Sequence, residues 1–354
     1  MKIAAVLMTG GVTLAMAACG SAPSAGPGST ASAAPVYNAC MVTDQGGLDD
    51  KSFNASAWKG MKAAEDDPAT NIKVQNVAST SEADYEPNLT GFVQKKCDFI
   101  LAVGGLMDAA TKKIATANPN QQFAIVDDKI DLPNVYPMQF DTAQAGYLAG
   151  YLAAGYSKTG KVGTYGGIKI PPVTIFMDGF ADGVAQYNKV KSKTVQVLGW
   201  DKAKQDGLFS NDFVAPAKGK ALSDTLSAQG ADVIMPVAGG TGSGTIADAA
   251  TGKFTGIWVD TDGCESTQYC SGLLTSVAKN ISDAVKDAVI RGAKGESLKP
   301  ADGFIGTLKN NGVAIAPYHD FDSKVSADLK AEVDKLKADI ISGAVVVSSP
   351  SEPK

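Results

Sequence analysis

Three aspartates stand at the ends of apolar runs, a position that suits ligand binding. Asp44 directly follows such a run, and Asp127 and Asp260 each end one. Continuous apolar runs of this length predict strands buried on both faces, and parallel strands end along one edge of their sheet. Carboxylates at several of these ends would face a common space, where they can accept hydrogen bonds from the N–H and O–H groups of a ligand.

The stretch from Asp44 to Gly60 adds further side chains to the first of these strand ends. It passes through a turn at Gly46 and Gly47 and continues into a segment with the pattern of a helix. Its polar and aromatic residues are Asp44, Asp49, Asp50, Ser52, Phe53 and Asn54. The spacing alone is equally typical of a solvated loop in which Asp50 or Ser52 caps the helix.

A glycine-rich turn, 238–245, follows another apolar run. Gly242, Gly244 and Ala247 match the G-x-G-x-x-A spacing of dinucleotide-binding loops. The turn lies in mid-chain, however, and lacks the lysine of a Walker phosphate loop. A turn whose backbone a neutral ligand can approach closely explains the glycines equally well.

Charge and composition exclude several functions. The chain has 354 residues, a formal net charge of −5 and no dense stripe of Lys and Arg, so we expect no nucleic acid partner. Its one histidine, His319, disfavours a His-rich metal site and a Ser-His catalytic pair. We expect an ordinary surface or capping histidine there, and neither a metal nor a cofactor.

The N-terminus predicts export. Residues 1–18 have the form of a signal peptide, with Lys2 before a short apolar run. Small residues before Cys19 resemble a bacterial lipobox, although Met16 stands where Leu is usual, so secretion with cleavage near Ala18 is the alternative. Residues 19–36 would be the lipidated Cys19 and a flexible tether rich in Ser, Ala, Gly and Pro.

The other four cysteines allow three disulfide pairings. Cys264 and Cys270 lie six residues apart in a polar loop, and their spacing favours a bond that closes it. Cys40 and Cys97 would then pair by elimination, each at the start of an apolar run. Zinc is disfavoured because the thiols lack a ligand spacing and a His partner.

Strand-like and helical segments alternate in two similar series along the chain. This pattern predicts an α/β protein with two doubly wound parallel-sheet lobes joined by hinge strands, the type I periplasmic-binding-protein fold. Lobe I would contain residues 37–141 and about 258–304, and lobe II 142–257 and about 305–350. The prediction includes a helix from Thr275 to Ala293 and hinges near 140–142, 257–260 and 304–307.

The sequence resembles the basic membrane protein (BMP) family, lipoproteins that serve as substrate-binding components of nucleoside ABC transporters. The motifs that carry the resemblance occur in family order, at Thr43–Asn54, Gly179–Val184, Gly230–Ile234, Ala238–Gly244, Val259–Asp262 and Thr275–Asn280.

The resemblance implies a purine or related nucleoside held between the lobes. Phe53 matches the stacking position of lobe I, and Phe213, with Phe209 as the alternative, would supply the second aromatic plate. Ala215 stands where the family often has Asp, which leaves the register of that loop open. The remaining implied contacts are Asp44, Asn54 and Asp127 to the base, Asp260 and Lys279 to the ribose, and the backbone of Gly239 and Gly240.

By this resemblance the protein is a monomeric binding lipoprotein, not an enzyme. It would be held on the extracytoplasmic side of the cell membrane by its lipid and would deliver the nucleoside to ABC permease subunits. One alternative is an exported nucleoside hydrolase that uses Asp44, Asp127 and Asp260, but no activated nucleophile accompanies these carboxylates. A ligand-sensing lipoprotein on the same fold is the other.

Overall fold

The computed structural model describes residues 35–353. The predicted signal peptide, the lipidation site Cys19 and most of the predicted tether lie outside the described residues. Within residues 35–353, no helix is both long enough and apolar enough to cross a membrane.

The described chain alternates strands and helices. The strands are β1 Tyr37–Thr43, β2 Ile72–Ala78, β3 Phe99–Val103, β4 Gln122–Val126, β5 Val135–Phe140, β6 Lys161–Gly166, β7 Gln196–Leu198, β8 Trp200–Asp201, β9 Asp206–Gly207, β10 Val233–Val237, β11 Thr255–Asp260, β12 Leu273–Lys279, β13 Phe304–Gly306 and β14 Val313–Ile315. The α-helices are α1 Phe53–Glu65, α2 Tyr85–Gln94, α3 Asp108–Ala117, α4 Thr142–Tyr156, α5 Pro171–Lys191, α6 Pro216–Ala228, α7 Ser243–Ala250, α8 Gly263–Ser266, α9 Ile281–Ala293 and α10 Ala327–Ser342.

Most of the strands in residues 35–353 belong to two six-stranded sheets. Their orders are β13-β5-β4-β3-β1-β2 and β14-β12-β11-β10-β6-β7. All neighbours pair in parallel except β12 and β14. In each sheet the order reverses beside its first strand, between β1 and β3 and between β6 and β10, and such switch points form clefts at the carboxyl ends of strands. The predicted α/β fold class is confirmed.

The chain passes between the sheets at three places within residues 35–353: after β5, after β12 and after β13. The second crossing, at Lys279–Ile281, differs from the expected boundary near residue 258. β11 and β12 both belong to the second sheet, and only then does α9 pack against α1 of the first lobe.

The predicted helix Thr275–Ala293 is wrong in its first part. Leu273–Lys279 is strand β12, buried along nearly its whole length between β11 and β14. The helix begins only at Ile281, after Asn280, whose side chain accepts a hydrogen bond from the Asp283 backbone N–H at 3.3 Å. A short apolar run fits a buried strand and a buried helix equally well, because periodicity does not separate the two.

Glycines bring α4 and α5 into unusually close contact. A Cβ atom added at Gly150 would lie 2.0 Å from the Phe180 carbonyl oxygen, and one at Gly183 would lie 2.0 Å from the Tyr147 carbonyl oxygen. The motif Gly179–Val184 therefore serves helix packing, and this packing fixes α5 behind the cleft.

Two disulfides are present in the described residues, Cys40–Cys97 and Cys264–Cys270. These are the pairs expected from the sequence. The first joins β1 to the segment that leads into the neighbouring strand β3, and the second closes the loop after β11.

Candidate functional site

A cavity lies where the carboxyl ends of the two sheets face each other. It is lined by the segments after β1, β3 and β4 in the first lobe and after β6, β10 and β11 in the second. Its lining residues are Asp44, Gln45, Asp50, Phe53, Asn54, Gly104, Gly105, Asp127, Ile170, Pro172, Val173, Phe176, Phe213, Val237, Ala238, Gly239, Gly240, Val259, Asp260 and Lys279.

The structure brings all of the residues predicted to bind ligand to this one cavity. They come from both lobes and are Asp44, Phe53, Asn54, Asp127, Phe213, Gly239, Gly240, Asp260 and Lys279. The alternative aromatic residue, Phe209, is not among the lining residues and instead packs edge-on against Trp200, with ring centroids 6.0 Å apart.

A buried lysine connects two carboxylates across the lobes. Lys279, the last residue of β12, donates from Nζ to Asp127 Oδ2 at 2.5 Å, and its Nζ lies 3.6 Å from Asp260 Oδ1. The Lys279 side chain is only 2% exposed. An unpaired buried ammonium is strongly unfavourable. The two carboxylates therefore compensate the charge of Lys279, and Asp127 also accepts a hydrogen bond from it.

Asp127 and Asp260 occupy matching positions in the two lobes. Asp127 directly follows β4 and Asp260 ends β11, and in chain order each of these strands is the fourth of its sheet. Both residues have a left-handed backbone with φ of 68°. Asp tolerates this region better than most residues, and such conformations persist where the surrounding structure enforces them. Burial raises the pKa of Asp127 to about 6, with the Lys279 ammonium opposing the rise.

Asp44 and Asn54 form a second polar group, on the first lobe. Asn54 Nδ2 donates to Asp44 Oδ1 at 2.9 Å. Burial raises the pKa of Asp44 to about 8; the hydrogen bond from Asn54 opposes this rise, and the nearby carboxylates of Asp50, Asp127 and Asp260 contribute to it. Asn54 Oδ1 is buried and meets no donor among the described residues, so it is open to a ligand N–H.

Gly104 makes room for this buried carboxylate. Its φ is 116°, and a Cβ atom there would lie 2.2 Å from Asp44 Oδ2. Any side chain at this position would displace Asp44 and would also strain the backbone. Gly104 was not predicted as a site residue. It directly follows strand β3, just as Asp44 directly follows β1, so the same position at a strand end could have identified it.

Of the two residues that could cap α1, Asp50 does so with its side chain and Ser52 does not. Asp50 caps α1 with its carboxylate, accepting from the backbone N–H groups of Ser52, Asn54 and Ala55 at 3.1, 2.7 and 3.0 Å. Burial raises the pKa of Asp50 to about 6, against the effect of these hydrogen bonds. Ser52 stands at the N-cap position, but its side chain makes no capping bond. Its hydroxyl contacts the second lobe instead.

Aromatic rings line the cavity from both lobes. Phe53 begins α1 of the first lobe, and Phe213 belongs to the loop before α6 of the second. The carbonyl of Phe213 accepts from the Thr241 N–H at 3.2 Å, which ties this loop to the glycine turn. Lys279 Nζ lies 5.2 Å from the ring centroid of Phe53 and 4.9 Å from that of Phe176, within cation–π range. Phe176 was not predicted, because nothing in the pattern of α5 separates a cavity residue from a core residue.

His319 lies outside the cavity and pairs with a carboxylate. Its Nε2 is 2.7 Å from Asp262 Oδ2. Asp262, Cys264 and His319 bring ligand-type atoms within 4.8 Å of one another. The Cys264 sulfur is bonded to Cys270, however, and is not a thiolate that could hold a metal ion.

Comparison with known proteins agrees with this geometry. The family model Bmp, described as ABC transporter substrate-binding protein PnrA-like, matches residues 37–349. A CD4+ T-cell-stimulating antigen of Listeria monocytogenes is 32% identical over 90% of this chain and 89% of its own length. The ABC transporter nucleoside-binding protein BmpA of Lactococcus lactis is 31% identical over 88% of this chain and 89% of its own.

The fold has solved counterparts. An ABC transporter system solute-binding protein from Aeropyrum pernix K1 superposes with a TM-score of 0.77 at 24% identity, covering 89% of this chain and 94% of that one. At this level of identity the likeness concerns the fold, and it confirms the predicted type I periplasmic-binding architecture. Together with the family match, it shows that the chain belongs to the Bmp family of PnrA-like ABC transporter substrate-binding proteins.

Proposed function

We propose that this protein captures a nucleoside, with a purine as its preferred base, between its two lobes and delivers it to an ABC permease. The observation that carries the proposal is one cavity with a phenylalanine ring from each lobe, Phe53 and Phe213, beside a set of buried hydrogen-bond acceptors. A nucleobase has two apolar faces and a polar edge, and such a site matches both. The Lactococcus lactis relative is named a nucleoside-binding protein, which supports the same ligand class.

One of the two polar groups of the cavity would bind the base of the nucleoside and the other its ribose. Asp44 and the unpartnered Asn54 Oδ1 suit the N–H groups of a base edge. Asp260 and Lys279 suit ribose hydroxyls, which both donate and accept hydrogen bonds. Asp127 would contact the base while it holds the Lys279 ammonium in place.

The charge of the cavity favours a nucleoside over a nucleotide. Four aspartates and one ammonium line it: Asp44, Asp50, Asp127, Asp260 and Lys279. Even with Asp44 protonated at neutral pH, the other three carboxylates outnumber the one ammonium. A ligand phosphate would meet this excess of carboxylates at short range in a poorly solvated site, where like charges repel strongly.

Anchoring and partners complete the proposal. Cys19, the first residue after the predicted signal peptide, would carry a lipid that holds the monomeric protein on the extracytoplasmic face of the membrane. Closure of the two lobes around the ligand would present a surface to the permease.

Calorimetric titration of the purified protein tests this function. Guanosine, inosine, adenosine, cytidine, guanosine 5′-monophosphate and free ribose are titrated separately, and each mixture is analysed by chromatography for free base. We expect purine nucleosides to bind most tightly, the monophosphate and ribose to bind weakly, and the nucleosides to be recovered intact. Absence of nucleoside binding would overturn the proposal, and release of free base over many turnovers would replace it with a hydrolase.

A further inference from the structure

The Ser52 hydroxyl connects the first lobe to the second. Ser52 precedes α1 in the first lobe, and its side chain is fully buried. Its Oγ lies 2.9 Å from Asp260 Oδ2 and 3.0 Å from the Val259 carbonyl oxygen, both at the end of β11 in the second lobe. One hydroxyl proton is thus placed to be donated to either oxygen.

A second hydrogen bond lies beside the first and has the opposite direction. Thr261 Oγ1, in the second lobe, donates to the Lys51 carbonyl oxygen at 3.0 Å. Lys51 has a left-handed backbone with φ of 56°, and Asp260 has one with φ of 68°. Residues 51–52 and 259–261 therefore form a contact in which each lobe offers a donor and an acceptor.

The first-lobe side of this contact is held rigidly by Asp50. The Asp50 carboxylate accepts from the Ser52 backbone N–H at 3.1 Å, and from two further N–H groups of the first turn of α1. Asp50 thereby performs the capping that Ser52 would otherwise provide, and the Ser52 side chain is left free to reach the other lobe.

The acceptor of Ser52 is one of the carboxylates that line the cavity. Asp260 Oδ2 faces Ser52, while Asp260 Oδ1 lies 3.6 Å from Lys279 Nζ. Each carboxylate oxygen has two lone pairs, so both oxygens retain capacity for a ligand hydroxyl. A bond from Ser52 fixes the rotation of this carboxylate and forms only when the lobes are together.

We propose that Ser52 is a positioning residue that fastens the lobes through Asp260 and so slows the escape of bound nucleoside. The inference rests on the proposed function. It assigns to Ser52 a role in retention of the ligand, without contact to it.

Stopped-flow kinetics with guanosine as the probe tests this role in Ser52→Ala. We expect the dissociation rate to rise on the order of tenfold, as for loss of a hydrogen bond to a charged group, while the association rate changes less than about twofold. The melting temperature of the ligand-free protein should stay within about 2 °C, because the bond joins the two lobes and is not part of the packing inside either lobe.

Ser56→Ala is the matched control. Ser56 lies one turn further along α1 and is 7% exposed. Its hydroxyl makes no hydrogen bond to any residue in the described range 35–353, so its removal should leave both rates unchanged.

Thr261→Val provides a second variant if Ser52→Ala folds poorly, and it should also speed dissociation because it removes the neighbouring bond to Lys51. The same hydroxyl contacts Trp258 Nε1 and Ser266 Oγ inside the second lobe, so the melting temperature of ligand-free Thr261→Val is measured alongside to separate that loss from the interlobe one.

Two results would overturn the inference. One is an unchanged dissociation rate in Ser52→Ala. The other is a lowered melting temperature of the ligand-free protein together with slower association, because this combination indicates that Ser52 acts inside one lobe.

Interlobe distances between spin labels at Lys112→Cys and Lys189→Cys separate this failure from failure of the proposed function. Ser52→Ala should shift these distances toward longer values even if guanosine is not the ligand. Unshifted distances would count against the proposal that Ser52 fastens the lobes.

Discussion

At the scale of single residues, the ring of Phe53 has the clearest measurable role. It lines the cavity from the first lobe and lies 5.2 Å from the Lys279 ammonium. Stacking of a base on an aromatic ring contributes about 1–3 kcal/mol. Phe53→Ala should therefore weaken guanosine binding by about 5- to 150-fold in Kd, measured by calorimetry.

Phe53→Leu provides the control for this measurement. It keeps apolar bulk beside Lys279 but removes the ring, so its affinity should fall between those of the wild type and Phe53→Ala. A change in Kd below about twofold for Phe53→Ala would show that the base does not stack there.

Asp44 should make the stability of the protein depend on pH. Its pKa is raised to about 8, so the folded protein retains a proton on Asp44 that the unfolded chain has already released at neutral pH. The free energy of unfolding then falls as the pH rises from about 4 to about 8. Asp44→Asn removes this contribution, and its melting temperature should decline less steeply than that of the wild type over this range.

The exposed neighbour Asp49 supplies the comparison for the pH series. Asp49→Asn lies on the same loop but outside the cavity, and its melting curves should follow the pH dependence of the wild type. Asp50 and Asp127, whose pKa values are also raised, to about 6, will leave a residual slope in Asp44→Asn. Parallel slopes for Asp44→Asn and the wild type would contradict the assignment.

Individual site residues differed in how well the sequence predicted them. Asp44, Asp127 and Asp260 follow from the rule that parallel strands end along one edge, because each stands where an apolar run ends. Lys279 was identified only through the family resemblance, since a lysine on a predicted helix is normally exposed. The partner of Ser52 lies 208 positions away, and nothing in the local pattern indicates a bond over that separation.

At the scale of secondary-structure elements, the two disulfides should differ in their contribution to stability. Cys40–Cys97 spans 57 positions and joins β1 to the segment before β3, whereas Cys264–Cys270 spans six within one loop. The chain-entropy relation gives about 4 kcal/mol for a loop of the first size and about 2 kcal/mol for the second.

Paired alanine substitutions check this difference. The Cys40→Ala/Cys97→Ala protein should unfold at lower denaturant concentration than the Cys264→Ala/Cys270→Ala protein, with both below the wild type. The reverse order would show that native contacts at these sites outweigh the loop entropy.

The elements themselves were predictable where composition and length agree. Ile72–Ala78, in which Ile and Val recur, forms a strand, and the long Ala- and Gly-rich segment Thr142–Tyr156 forms a helix. Leu273–Lys279 was assigned to the wrong element type, because its surroundings in the second sheet, and not its own sequence, make it a strand.

At the scale of the whole molecule, the two sheets repeat one strand order and present the same loops to the cavity. The left-handed Asp127 and Asp260 are the most evident sign of this correspondence. The sequence shows the repeat as two series of alternating segments, but the sheet to which a late strand belongs depends on pairing between distant segments. For this reason the fold class was predictable and the place of the second crossing between the sheets was not.

Lys279 is the last residue of β12, and the next residues carry the chain back to the first lobe. A group close to the axis of a hinge motion moves only a short distance. The Lys279 ammonium should therefore move little relative to Asp127 when the lobes separate. The contact from Ser52 to Asp260 starts one strand further from that pivot and should separate first. Opening would then uncover a site whose central ion pair is still assembled, and an arriving ligand would meet an ammonium that Asp127 already holds in place.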